Sequence, residues 1–164
     1  MGALAPTLAL NLAQTLARMQ GKRVYFGTNI LIYVLDNTAG YVDACLPFLQ
    51  AVAQQSIIGC TGDITSAELL VKPMRSNDLL AIEAIEALLG ENGYFESIAH
   101  TKPVLELAAY IRATQGLKMV DAIHTASAIK GGCSFMLTHD RQIERQAKGI
   151  EVVNISAWLG TALH

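Results

Sequence analysis

Cysteine is scarce and poorly placed for metal or disulfide chemistry. Cys45, Cys60 and Cys133 are odd in number, far apart, and form no CxxC or Cys/His ligand spacing. Neither a disulfide framework nor a sulfur-bound zinc site is therefore suggested, and a reducing cytoplasm fits. An excess of basic charge is missing too: 12 Lys and Arg face 14 Asp and Glu, a net charge of −2, so nothing in the overall balance announces nucleic acid. No glycine-rich phosphate loop of the GxGxxG or Walker type occurs. The first residues carry no basic run, and Asn11, Gln14 and Thr15 interrupt the apolar stretch before Arg18, which argues against a signal peptide. Other uncharged runs contain Pro47, Gln50, Gln54 and Gln55 or fall short of the roughly 20 helical residues a bilayer requires, so no membrane span is expected.

What the chain does have is apolar residues, 52% of its 164, with a mean hydropathy of +0.35. One domain of this size removes roughly 70% of its unfolded surface from water, and the surplus leaves apolar surface for a partner, a second copy being the expected one. Leu8, Leu12, Leu16 and Met19 share a helical stripe over residues 7–19, which predicts an amphipathic extension over 1–21 ahead of a domain over 22–164. Arg23 to Phe26 reads as a strand, followed by Gly27 and a helical segment from Thr28 to Leu35. Leu46 to Gln55 predicts a helix, Ile57 to Cys60 a buried strand, and Thr61-Gly62-Asp63 a break. Thr65-Ser66-Ala67-Glu68 has a capping-box pattern, and the helix it opens is expected to stop near Lys72, before Pro73. Helices over 77–89, 102–115 and 121–130 and strands over 94–98, 134–138 and 151–153 follow, with Gly116 and Gly131-Gly132 as stops and a last turn near Trp158. Strands alternating with helices predict an α/β fold, a three-layer sandwich around a central parallel sheet.

In such a sheet, ligands bind beyond the carboxyl ends of the strands, where loops and helix N-termini converge. Gly27, Glu68 and Asp140 fall on that rim, Glu68 in the first turn of its helix. Asp121 opens a helix and is not tied to the rim by spacing alone. Carboxylates gathered there repel one another unless a cation intervenes, and hard oxygen ligands suit Mg²⁺ or Mn²⁺, which would serve phosphodiester hydrolysis. Each acid also has a plainer role. Asp caps helices, and Glu68 is the fourth member of its capping box. His124 reads first as a partly buried structural histidine, His100 as a turn residue and His139 as an exposed one.

The ordered set Val24-Tyr25-Phe26-Gly27-Thr28-Asn29-Ile30-Leu31-Ile32-Tyr33, Thr65-Ser66-Ala67-Glu68, Val120-Asp121-Ala122-Ile123-His124 and Leu137-Thr138-His139-Asp140 strongly resembles the PIN-domain family, in particular the VapC-type toxins of toxin–antitoxin pairs, over about residues 23–155. The resemblance implies a parallel-sheet sandwich, Mg²⁺- or Mn²⁺-dependent endoribonuclease activity on an RNA substrate, a homodimer, and inhibition by an antitoxin protein. It places Glu68, Asp121 and Asp140 on the family's metal-binding acids and Thr28, Asn29 and Thr138 on polar positions that orient the site. One position departs: Gly27 stands where the family's first acid is expected. The departure has two accounts, an inactivated form of an active parent or a natural non-catalytic homologue that binds RNA or an antitoxin.

Overall fold

The computed structural model describes residues 6–159, and side chains from residue 11 onward. Helix α1 (Pro6–Met19) precedes β1 (Arg23–Phe26), α2 (Thr28–Leu35), α3 (Val42–Ala53), β2 (Ile58–Gly62), α4 (Asp63–Ser76) and α5 (Leu79–Leu89). Then come β3 (Glu96–Ile98), α6 (Lys102–Gln115), α7 (Met119–Lys130), β4 (Phe135–Thr138), α8 (Arg141–Gln146), β5 (Glu151–Asn154) and a 3₁₀ turn over Ile155–Trp158. The five strands form one sheet in the order β3-β2-β1-β4-β5, with every pairing parallel.

Strand periodicity sorts the core into two layers. Val24 and Phe26 of β1 and Phe135 and Leu137 of β4 join one apolar cluster with Ile30, Phe48, Leu69, Ile85 and Trp158. Tyr25 and Met136, one residue out of step, join the other with Val104, Ala108, Ile111, Ala122 and Ala126. Both sheet faces are thus covered by helices, which is why the central strands are buried nearly throughout. Helix α6 buries Val104, Ala108 and Ile111 at helical spacing and stops at Gly116, whose φ of 74° is the left-handed geometry of a glycine C-cap.

Helix α1 docks on this body. Leu12 and Met19 belong to the first cluster, with Leu16 packed against it. The Arg18 guanidinium donates to both Glu151 carboxylate oxygens, at 2.6 and 2.7 Å, and lies over the Phe135 ring. The side chain of Leu8, the other residue of the predicted stripe, and residues 1–5 and 160–164 of the two expected segments lie outside the described residues.

Several boundaries differ from those expected. Helix α3 starts at Val42, not Leu46, and Thr61 and Gly62 continue β2 where a break was expected. Helix α4 runs through Pro73 to Ser76 and ends at Asn77 in a left-handed cap. Pro73 is buried one turn after Leu69, on the same face, so apolar packing outweighs the roughly 3 kcal/mol a proline costs a helix interior. Because α4 already begins at Asp63, Thr65 is not an N-cap and the predicted capping box does not form. Glu68 lies in the second turn, not the first.

Candidate active site

Strand β1 is central, with β2 on one side and β4 on the other, so the chain leaves the sheet in opposite directions at the carboxyl end of β1 and opens a crevice there. A cavity of about 150 Å³ occupies that point, lined by Gly27, Thr28, Asn29, Glu68, Asp121, His124, Thr138 and Asp140 among others. All seven residues expected at the site from the sequence therefore face one space. Asp121, which strand order alone could not place, arrives because α7 packs across β2 and β4.

The inner wall is a hydrogen-bonded network. Tyr25, fully buried on β1, has its hydroxyl 2.6 Å from His124 Nδ1, and His124 Nε2 lies 2.8 Å from Glu68 Oε1. Thr28 Oγ1 donates to the same Glu68 oxygen at 2.7 Å. Both imidazole nitrogens are thus engaged, Nε2 with a carboxylate oxygen that can only accept and Nδ1 with the Tyr25 hydroxyl. Burial alone would push the Glu68 carboxyl up, but the bonds from His124 and Thr28 and the charge of His124 prevail and hold it below its ordinary value. Burial pushes the Tyr25 phenol far up, so it keeps its proton. Gly62 is required beside it, since a Cβ there would sit 2.8 Å from the Tyr25 hydroxyl. Below, Thr61 Oγ1 lies 2.8 Å from Thr65 Oγ1, which is 3.2 Å from Thr28 Oγ1.

The outer wall is acidic. Asp140 is the N-cap of α8, its Oδ1 accepting from the Gln142 and Ile143 amides at 2.7 and 3.0 Å, and Thr138 Oγ1 accepts from the Asp140 amide at 3.0 Å. Asp121 is not an N-cap. Helix α7 starts two residues earlier, leaving Asp121 in its first turn. Its carboxyl is raised, first by burial and then by the charge of Asp140, with Glu68 adding and His124 and Lys118 opposing. The acids of this cleft thus repel one another.

Gly27 caps α2 with φ −63° and ψ 151°, an extended geometry open to any residue. It is not held there by backbone strain. A Cβ at this position would lie 3.1 Å from Asn29 Oδ1, 3.3 Å from the Leu137 carbonyl and 3.5 Å from Thr138 Oγ1. Asn29 Oδ1 is itself buried with no hydrogen-bond partner, an orphaned oxygen at the spot where a side chain is absent.

Among the described residues no group of three or more His, Cys, Asp or Glu side chains is drawn together tightly enough to hold a metal ion. One Asp140 oxygen is turned to its helix and one Glu68 oxygen to His124 and Thr28, and the charges of both act on Asp121. The chemistry of the donors, all hard oxygens with an orphaned amide oxygen beside them, nonetheless suits Mg²⁺ or Mn²⁺. Gly27 adds no donor atom of its own side chain to that set.

The PIN domain model matches residues 24–149, most of the chain and every element that builds the cleft. The chain belongs to the PIN domain family. No curated protein matches it in sequence. Among solved structures, VapBC2 from Rickettsia felis, bound to a DNA fragment from its promoter, superposes with a TM-score of 0.64 at 16% identity, covering 80% of this chain and 98% of that one. FitAcB from Neisseria gonorrhoeae gives 0.61 at 16%, covering 80% and 97%, and a toxin–antitoxin complex from Klebsiella pneumoniae 0.58 at 22%, covering 80% and 97%. At such identities the likeness is one of fold. This PIN domain is thus a parallel α/β sandwich, and no helix among its described residues is long and apolar enough to cross a membrane.

Sequence reasoning missed Tyr25 and Thr65 as parts of the site, reading one as strand core and the other as a cap. The signal was present for Tyr25: it is the β1 residue on the α7 side of the sheet, the face that also carries His124. His124, expected to be structural, is buried and holds Glu68. His100 does lie in a connection, where Nε2 accepts from the Ile64 amide at 2.9 Å. His139 is only half-exposed, bonded to Tyr33.

Proposed function

We propose that this PIN domain is a divalent-metal-dependent endoribonuclease of the toxin type, impaired in the present sequence by Gly27, and that it works in the cytoplasm as a homodimer controlled by an antitoxin protein. The observation that carries the reading is the convergence of Glu68, Asp121 and Asp140 on one cleft at the carboxyl end of the central strand, with Asp121 raised first by burial and then by the charge of Asp140. Such a cleft gains stability from a cation. Bound there, Mg²⁺ or Mn²⁺ would neutralise phosphate charge and lower the pKa of a coordinated water. Glu68, Asp121 and Asp140 would supply ligand oxygens, with Thr28 and His124 fixing Glu68 and Thr138 fixing the turn that presents Asp140. Asn29 would offer its unpartnered oxygen to a ligand or substrate. The toxin–antitoxin complexes among the structural relatives support an antitoxin as protein partner.

A second reading, a non-catalytic PIN domain that binds RNA or an antitoxin, is favoured by Gly27 and by the loose arrangement of the acids. One experiment separates the two. Cleavage of single-stranded and structured RNA is measured with Mg²⁺ and Mn²⁺ for the chain as it stands and for Gly27→Asp. Metal-dependent cleavage that appears or strengthens in the Gly27→Asp variant supports the nuclease; none in either form supports the binding protein.

A further inference from the structure

Close in sequence to the acidic cleft lies a cluster of aromatic rings, of which Tyr33 packs against the first core cluster while the acidic chemistry uses none of them. Tyr33 stands one helical turn after Asn29 on α2, and His139 immediately precedes Asp140. Tyr41, at the entrance to α3, completes the group. The Tyr33 and Tyr41 rings stack at 4.6 Å between centroids with 24° between planes, and His139 lies 5.8 Å from the first and 5.5 Å from the second. The Tyr33 hydroxyl and His139 Nδ1 are 2.8 Å apart, which fixes the imidazole against the stack. All three rings are only partly buried, so the trio is pre-assembled yet presented to solvent. Arg141 follows at the start of α8 with Arg145 one turn on, both exposed and in no ion pair among the described residues.

We infer that Tyr33, Tyr41 and His139 form a stacking subsite for a nucleobase of single-stranded RNA, adjacent to the phosphate held at the acidic cleft, with Arg141 neutralising a neighbouring backbone phosphate. The inference rests on the proposed reading of the cleft as an RNA site and names how that RNA is held. Rigid, half-exposed aromatic planes flanked by unpaired cations are what a flexible single strand requires: stacking works on any base, and the cations follow the backbone. Ordering costs little, because the rings already stack on one another in the free protein. The overall charge of −2 gives no general attraction for nucleic acid, so binding depends on such local features.

The test uses the full chain with Mg²⁺, which offsets the carboxylates beside the phosphate, and fluorescein-labelled oligoadenylate, oligouridylate and an abasic strand of equal length, all 2′-O-methylated so that cleavage does not interfere. Fluorescence anisotropy gives affinity for the parent, Tyr41→Leu, Arg141→Gln and Tyr41→Trp. Tyr41→Leu is expected to weaken oligoadenylate binding about 5- to 150-fold while leaving the abasic strand unchanged, and Tyr41→Trp to retain affinity. The introduced tryptophan supplies a readout that packing alone would not move: its emission should be quenched by oligoadenylate but not by the abasic strand, against the parent containing only buried Trp158. That quenching decides the matter even where Tyr41→Leu fails to fold. Equal binding of abasic and base-bearing strands, with no quenching, overturns the stacking subsite and leaves the RNA reading intact. Absence of RNA binding in every form overturns the subsite, and the nuclease reading falls with it only where Gly27→Asp also fails to cleave RNA.

Discussion

Replacing Gly27 with Asp is the perturbation on which the account of the cleft depends most. The backbone accepts it, since φ −63° and ψ 151° are ordinary for any residue and Asp is as good an N-cap as any for α2. The nearest obstacle is the Asn29 side chain, 3.1 Å from the new Cβ, which has to give by a few tenths of an ångström. Removing a glycine stabilises by about 0.4–1 kcal/mol through the unfolded chain, and the better cap adds a few tenths. Against this, a fourth carboxylate enters a cleft where Asp121 is already raised, first by burial and then by Asp140, at a cost on the order of 1–2 kcal/mol without metal. The metal-free variant should therefore lie within about 1 kcal/mol of the parent. With Mn²⁺ the balance changes. Mn²⁺ affinity should rise at least about 10–100-fold, the amount that even a partner of a metal ligand commonly contributes. At Mn²⁺ concentrations about 100 times Kd, binding stabilises the fold by about 2.7 kcal/mol, or about 5–11 °C in Tm for a chain of this size. Isothermal calorimetry, thermal melts with and without Mn²⁺ and RNA cleavage on one preparation test the chain of argument. A folded Gly27→Asp protein with unchanged Mn²⁺ affinity and no cleavage above the parent would refute it.

Four further outcomes follow from the geometry. The Asp121 carboxyl is raised on folding, so stability contributed by this residue is greatest below the ordinary carboxylate range and falls as pH rises through the interval between its unfolded and folded values; metal-free Asp121→Asn should melt higher than the parent near about pH 7, with the gap closing near about pH 3. Asp140→Ala should cost about 0.5–2 kcal/mol by urea unfolding because the α8 cap is lost, whereas Asp140→Asn should keep the cap and still weaken Mn²⁺ binding, separating the two roles of the side chain. Tyr25→Phe, which strands buried His124 Nδ1, should cost about 1–3 kcal/mol, and a cost near zero would show that the network does not hold Glu68 in place. Met19→Ala should destabilise the whole domain in one cooperative transition by about 2–5 kcal/mol if α1 is part of the fold, and unchanged stability would mark it as an appendage.

Much of the architecture is written locally in the chain. The Arg23 to Phe26 and Phe135 to Thr138 strands, the Lys102 to Gln115 helix and its glycine stop follow from short-range periodicity and backbone preference, and they appear at or near the expected residues. The order of the acids along the chain likewise places Glu68 and Asp140 at one sheet edge once the sheet is parallel. Where local rules fail, a distant surface competes with them. Pro73 stays helical because its ring is buried, and Thr65 and Glu68 leave their capping-box roles because Thr61, Thr28 and His124 offer buried partners. No spacing rule brings Tyr25 to His124 across 99 residues, or Asp121 to the rim, since those contacts depend on how α7 lies across the sheet. Residue identity settled which chemistry the chain has available, hard oxygen donors beside a glycine at position 27 that adds none. Only the packing of helices on the sheet decided which of those oxygens face each other and which are already taken by hydrogen bonds, because that depends on distances between segments remote in sequence.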